Sequence, residues 1–419
     1  MRILLRKNIG AWFLMLFLVS TSLGFSSSAQ ALAYNQDSGV HSIERDYWPT
    51  DEWLNASPSD HGVDVTYLDA MMDIIEEEDH NMHSVIVIKN GYIVFEEYPR
   101  EYYSATRKHM LQSCTKSFTS TLIGIAIHEG FIDNTSQRMV DLFSDWTIDN
   151  LDSRKENITL EHMLTMTEGM YWTEHDYPYT DDRNTLKQMW DTTDPIQHIL
   201  DQPMVREPGD EWRYNSGMSV LLGAILEIVT GQSVESFAEE YLFDRIGIER
   251  YVWYSMPNSD VLHTDGGLYL TPRNMARLGY LMLNNGTWDG VELVSPEWVS
   301  NASQSKAEIS GTVGYGYQWW IYPDFDFYAA TGHYEQKIYV APEDDLVVVF
   351  TANIADEDPH PTDGFMISYI LPAVRSFEAV EEGDISLDFI LNLGLVGVIV
   401  LPLIVGIIFI RFKSKSYID

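Results

Sequence analysis

Cysteine is almost absent from this chain. Cys114 is the only one in 419 residues, so no intramolecular disulfide can form and the fold must be held by its packed core. Basic residues are scarce as well: 26 Lys and Arg stand against 63 Asp and Glu, a formal charge of −37. That balance argues against nucleic acid and against an anionic membrane surface as electrostatic partners. It suits an acidic soluble surface and a high-salt habitat equally. Internal repeats and low-complexity blocks are missing, and no metal-ligating constellation stands out. His80 and His83 lie three residues apart without a third ligand in evidence, so the expectation is no metal and no cofactor. Apolar residues are plentiful at 45%, aromatics at 13%, enough core for one large domain or two interleaved ones.

The two ends differ from the middle. Residues 1–31 carry Arg2, Arg6 and Lys7, an apolar run over 9–19, and Ser28-Ala29-Gln30-Ala31, a small-x-small pattern. This reads as a secretory signal cleaved after Ala31; the alternative, an uncleaved anchor, has a short run to work with. Residues 389–410 are 22 positions without a charge, about 33 Å as a helix, enough to cross a bilayer. Asp384 and Asp388 precede this stretch, and Arg411, Lys413 and Lys415 follow it. The positive-inside rule then puts the tail 411–419 in the cytoplasm and the bulk of the chain outside. The expected organisation is a signal (1–31), a folded domain (32–377), an acidic linker (378–388), a transmembrane helix (389–410) and the tail. The location implied is the cell membrane, single-pass, with the folded domain extracytoplasmic. Sequons at Asn55, Asn134, Asn157, Asn285 and Asn301 suit an exported surface.

Alternation over 84–88 and 92–95 flanks Asn90-Gly91, the pair that favours a type I′ hairpin. A helical segment, 67–78, precedes it. Helical patches follow at 160–166, 186–200, 219–229, 234–243 and 272–283. Strand character returns at 314–322, 327–331, 336–341 and 346–351, before a last helix at about 363–377. Strands at both ends with helices between imply an α+β fold: a largely antiparallel sheet flanked by helices, with a mostly helical domain inserted.

The chemistry concentrates at Ser113-Cys114-Thr115-Lys116. Residues three apart share a helix face, so Lys116 would lie beside Ser113 at the start of the apolar run 117–127. Burial disfavours an ammonium, so Lys116 could lose its proton and activate the serine. Spacing alone is weak, since about one Ser-x-x-Lys is expected by chance in a chain of this composition. A second copy, Ser303 to Lys306, sits in polar sequence with no long apolar helix after it and reads as surface.

Four ordered stretches carry a resemblance: Gln112 to Phe118; Ile158 to Gly169; Glu207 to Gly217, which contains Trp212-Arg213-Tyr214-Asn215-Ser216; and Gly266 to Ala276. Over about 83–377 the chain resembles the serine β-lactamase-related family, with its class C β-lactamases, D-alanyl-D-alanine carboxypeptidases, esterases and 6-aminohexanoate-dimer hydrolases. The resemblance implies a β-lactamase/transpeptidase-like fold. It also implies an acyl-enzyme on Ser113 with Lys116 as base and Tyr214 as the proton-sharing partner of a Tyr-x-Asn motif, here Tyr214-Asn215-Ser216. The family's Lys-Thr-Gly strand maps onto Ala330-Thr331-Gly332, which implies an oxyanion hole of the Ser113 and His333 backbone N–H groups. Substrate contacts fall to Ser216, Thr331, Gly332, Tyr171 and Trp172. Ala330 in place of lysine removes a cation that would bind a substrate carboxylate, and Ser216 replaces asparagine; both point towards an ester, amide or peptide substrate rather than a β-lactam. A β-lactamase or D-Ala-D-Ala-type peptidase is the first alternative, and a receptor that binds or acylates without turnover is the second.

Overall fold

The computed structural model describes residues 45–355 and 360–381, all within one compact unit. The expected signal (1–31), the span 389–410 and the tail lie outside the described residues. Among the described residues no single helix is long and apolar enough to cross a membrane.

Eight strands form one sheet: β1 (Met82–Lys89), β2 (Tyr92–Glu97), β3 (Ala307–Ser310), β4 (Val313–Tyr315), β5 (Trp320–Tyr322), β6 (Phe327–Gly332), β7 (Gln336–Ala341) and β8 (Leu346–Ala352). Their order is β2-β1-β8-β7-β6-β5-β4-β3, and every neighbouring pair is antiparallel. The amino-terminal hairpin therefore docks on the last strand of the carboxy-terminal meander. Its turn has φ 54° at Asn90 and 86° at Gly91, the two positive angles that a type I′ turn requires.

Alternation assigns the two faces. Ile86, Ile88, Ile338, Val340, Val347 and Val349 join the larger core, while Val85, Val87, Tyr339, Val348 and Phe350 join the smaller one. Helix α1 (Val65–Glu77), capped by Asp64, covers the second face with Leu68, Met71 and Ile75. The carboxy-terminal helical run 361–381 joins it through Phe365, Met366 and Ile370.

On the first face lies α2 (Cys114–His128), whose residues from Cys114 to Ala126 are all buried. A helix enclosed on all sides must satisfy its own polar groups. Ser117 and Ser120 donate to the carbonyls of Gln318 and Tyr317, both at 2.7 Å, and Thr119 donates to Thr264 O at 2.7 Å. Next to α2 runs α3 (Ser216–Thr230). Helix α4 (Pro272–Leu283) begins at the Thr271 cap with proline in its first turn, as the sequence signals. Gly279 brings it close to the sheet: a Cβ there would stand 2.7 Å from Val347 Cγ1 and 2.8 Å from Ile338 Cγ2.

Three boundaries differ from the sequence reading. The expected strand 314–322 is two strands, β4 and β5, because the chain turns at 316–319 with Gln318 at φ 64° and Gly316 N–H bonded to Trp319 O. The helical stretch 186–200 divides into Thr185–Asp191 and Pro195–Leu200, since Pro195 cannot continue a helix and Asp194 caps a new one. The segment Ala307–Ser310, for which the sequence reading named no element, supplies the edge strand β3; one side of it is half-buried, so no apolar run announced it.

Candidate active site

Ser113 stands at the amino-terminal cap of α2, following Gln112 at φ 51°, so the chain turns sharply to present the hydroxyl. Lys116 lies one turn on and is buried. Its Nζ is 3.1 Å from Ser113 Oγ and donates to the Asp265 carbonyl at 2.7 Å. Burial pushes the Lys116 ammonium below the usual lysine range, against the opposing pull of Asp265 and Glu174. A neutral amine beside a hydroxyl can accept its proton. Cys114, the adjoining residue, faces away: its thiol points at Gln336 O, 3.1 Å distant, and burial pushes its pKa up.

Tyr214 lines the same cavity as Ser113, and its ring lies 5.2 Å from Lys116 Nζ. Burial, then the neighbouring Tyr315 and Glu174, raise the phenol well above its ordinary pKa, so it stays a proton donor. The ring is held by Trp320 on one side and by His175, stacked at 4.8 Å, on another.

Two loops carry Tyr214 to this place. The 165–169 turn bonds across to the segment before the tyrosine: Arg213 N–H to Met166 O at 2.9 Å, and Gly209 N–H to Thr167 O at 2.8 Å. Gly169, at φ 80°, passes so near this segment that a Cβ would meet Arg206 O at 2.7 Å. Buried Glu168 accepts from Asn215 Nδ2 at 2.7 Å, and Asn215 Oδ1 caps α3 at Gly217 N–H. Burial pushes the Glu168 carboxyl up to about 7. Arg213 is occupied by the Trp172 carbonyl and by Asp176.

The third wall is the end of β6. A Cβ on Gly332 would lie 2.3 Å from Leu111 O and 3.1 Å from Cys114 N, so only glycine lets this strand abut the turn that holds Ser113. The resulting cavity, about 150 Å³, is lined by Ser113, Tyr214, Thr331, Gly332 and His333, all named from sequence. His175, Tyr179, Trp320, Tyr322, Lys337 and His360 line it as well, and the sequence singled out none of these.

Three expected contacts are placed elsewhere. Trp172 is buried in the core and Tyr171 is 42% exposed, and neither lines the cavity. Trp172 Nε1 instead donates to Glu174 Oε2 at 2.9 Å. Ser216 is buried too, giving its hydroxyl to Glu174 Oε1 at 2.7 Å and its N–H to Oε2 at 2.9 Å. Glu174 is thus the hub that fixes the start of α3. No local spacing marks its bond to Ser216, which comes from 42 residues away. The second Ser-x-x-Lys is not a pair: Ser303 donates to Val299 O at 2.8 Å, and Lys306 reaches Asn301 Oδ1 at 2.7 Å. His83, one of the two histidines expected to hold no metal, is buried on β1 and stacks on Tyr103 at 3.6 Å.

Comparison with known proteins identifies the fold and the family. The chain is 23% identical over 355 residues to the 6-aminohexanoate-dimer hydrolase of Paenarthrobacter ureafaciens, covering 79% of this chain and 89% of that protein. A structure from Bacillus anthracis proposed to be a 6-aminohexanoate-dimer hydrolase shares the fold at TM-score 0.66 and 20% identity, over 79% of this chain and 89% of that one. EstCE1, a hydrolase with promiscuous acyltransferase activity, does so at TM-score 0.62 and 14% identity, over 76% of this chain and 100% of its own. The Beta-lactamase family model matches residues 74–367, more than half of the sequence and all of the site just described, and the chain belongs to that family of serine hydrolases.

Proposed function

We propose that this protein hydrolyses an ester or amide bond through an acyl-enzyme on Ser113. The observation that carries the reading is the buried Lys116 amine 3.1 Å from the Ser113 hydroxyl, with Tyr214 lining the same cavity as that serine. In the first step Ser113 Oγ bonds to the substrate carbonyl carbon as Lys116 Nζ takes the hydroxyl proton. The N–H groups of Ser113 and His333 flank the position of the developing oxyanion. Collapse breaks the bond to the leaving group, which takes a proton from the Tyr214 phenol; Lys116 returns its own to Tyr214. Water then attacks the acyl carbon by the same route in reverse and frees Ser113. The reading is supported by the Paenarthrobacter relative, named as a 6-aminohexanoate-dimer hydrolase.

The domain is proposed to be held outside the cell membrane by the 389–410 segment. That reading rests on the leader pattern, the uncharged run and the basic residues after it, together with exposed sequon positions Asn55, Asn134, Asn157 and Asn285. One experiment addresses both statements. A membrane-impermeant fluorophosphonate added to intact cells should label the protein at Ser113, and Ser113→Ala should abolish labelling and ester hydrolysis while the protein still folds. Labelling that survives in Ser113→Ala would refute the nucleophile assignment, and labelling only after lysis would refute the orientation.

A further inference from the structure

The 165–169 turn carries a buried acid that the catalytic steps do not use. Glu168 is 1% exposed, between Met166 at φ 55° and Gly169 at φ 80°. A buried carboxyl is a costly way to fill a core position unless its bonds serve a purpose. The bond this one makes is to the residue beside the tyrosine: Glu168 Oε1 accepts from Asn215 Nδ2 at 2.7 Å. Burial pushes the carboxyl up to about 7, opposed by that bond and by Arg213. Protonated or ionised, Oε1 remains an acceptor, so the contact persists through the titration.

Asn215 is wholly buried and held at each polar group. Its Oδ1 accepts from Gly217 N–H at 2.9 Å, and its own N–H lies 3.5 Å from Met166 Sδ. On the other side of the tyrosine, Arg213 N–H bonds Met166 O at 2.9 Å. Tyr214 is thus the residue between two that the same turn grips, one by its main chain and the other also by its side chain. The rings of His175 and Trp320 restrain the tilt of the phenol. Packed rings slide past one another more easily than they tilt, so the reach of the hydroxyl is left to the backbone from which the ring projects.

We propose that Glu168 is a positioning residue for Tyr214: through the Asn215 side chain it fixes the backbone that aims the phenol at the leaving group. The inference deepens the Ser113 hydrolase reading and rests on it. Its consequence is selective. An alkoxide is a strong base and must take the phenol proton as it departs, whereas p-nitrophenolate, stabilised by its own ring, leaves without one. The need for Glu168 therefore grows with the basicity of the leaving group.

Two esters with one acyl group test this, ethyl butanoate and p-nitrophenyl butanoate. Glu168→Met keeps most of the side-chain bulk and removes the acceptor. Its kcat/KM on the ethyl ester should fall about 10- to 100-fold, the range for a reacting group misplaced by about 1 Å, and stay within a few-fold of normal on the p-nitrophenyl ester. Glu168→Gln, whose amide oxygen still accepts from Asn215, should hold the ethyl-ester value within a few-fold of normal. Equal losses on both esters would show that Glu168 serves only the fold, and would overturn the proposal. So would no loss on either ester, or a Glu168→Gln as impaired as Glu168→Met.

If Glu168→Met does not fold, Asn215→Asp takes its place: the cap at Gly217 survives, two carboxyl groups face each other, and the ethyl-ester rate should drop. Adding Glu168→Gln to that variant reverses donor and acceptor; recovery supports the proposal, and no recovery overturns it. If the unaltered protein turns over neither ester, the hydrolase reading falls; if it turns over the p-nitrophenyl ester alone, that reading stands. In both cases crystal structures of the unaltered and substituted proteins decide the positioning by themselves. A Tyr214 ring displaced by about 1 Å or more supports it, and an unmoved ring overturns it.

Discussion

At the scale of the residue, the question is which group takes the serine proton. Lys116 and Tyr214 both touch Ser113, but their surroundings drive them apart: burial favours the neutral form of each, which makes the lysine a free base and the tyrosine a bound acid. The roles follow from that difference. Lys116→Ala and Tyr214→Phe should each lower turnover by roughly 10²- to 10⁴-fold, the range for loss of a positioned base or acid. The pH profile separates them. A lysine with a depressed pKa works as a base only above that pKa, so kcat/KM in the unaltered enzyme should fall as pH drops through it. A phenol with a raised pKa keeps its proton past the usual tyrosine range, so an alkaline limb belonging to Tyr214 should vanish in Tyr214→Phe while the acid limb stays. A variant that lost both limbs would show that the two groups titrate as one unit.

At the scale of the element, the end of β6 against the start of α2 builds the site, and Gly332 sets their separation. Because a Cβ there would sit 2.3 Å from Leu111 O, a backbone atom that cannot swing aside, Gly332→Ala must push β6 away from the nucleophile turn. We expect turnover to fall by about 10²-fold or more, as for loss of an oxyanion donor, with a smaller effect on melting temperature. Turnover within a few-fold of normal, measured on the folded protein, would mean that the two elements can separate without harm. This contact also shows what was legible in the sequence. Ser113 and Lys116 were found because their partnership is local, one turn apart on one helix, and the hairpin because Asn90-Gly91 encodes its own turn. The strand break at 316–319 was not, since the left-handed angle falls on Gln318, a residue type that does not signal it. Glu168, Glu174 and His360 were missed for another reason: Asn215, Ser216 and Glu335, to which they bond, lie 47, 42 and 25 residues away, and only the folded sheet and helices bring them together.

At the scale of the whole molecule, a fold without disulfides depends on burial, and this one buries two neutral imidazoles. His83 on β1 stacks on Tyr103 at 3.6 Å, and His109 lies 5.1 Å from the same ring, tying the sheet to the segment that leads into the nucleophile turn. Burial lowers their pKa values to about 4 and about 3, against an unfolded value near 6.5, and neither ring nitrogen of His83 has a partner among the described residues. A histidine with a depressed pKa binds its proton more readily in the unfolded chain. Its contribution to stability is therefore complete above pH ~6.5 and is lost as pH falls towards the folded values. His83→Phe keeps a flat ring to stack on Tyr103 and removes the titration, without abandoning any hydrogen bond. The variant should match or exceed the unaltered protein in denaturant midpoint at neutral pH, and its advantage should grow as pH is lowered from about 6.5 to about 4. The carboxylates of both proteins titrate over the same range, so the difference between the two midpoint curves is the quantity to read. A difference that stays constant across that window would show that His83 is hydrated in the folded protein and that the stack is not sealed.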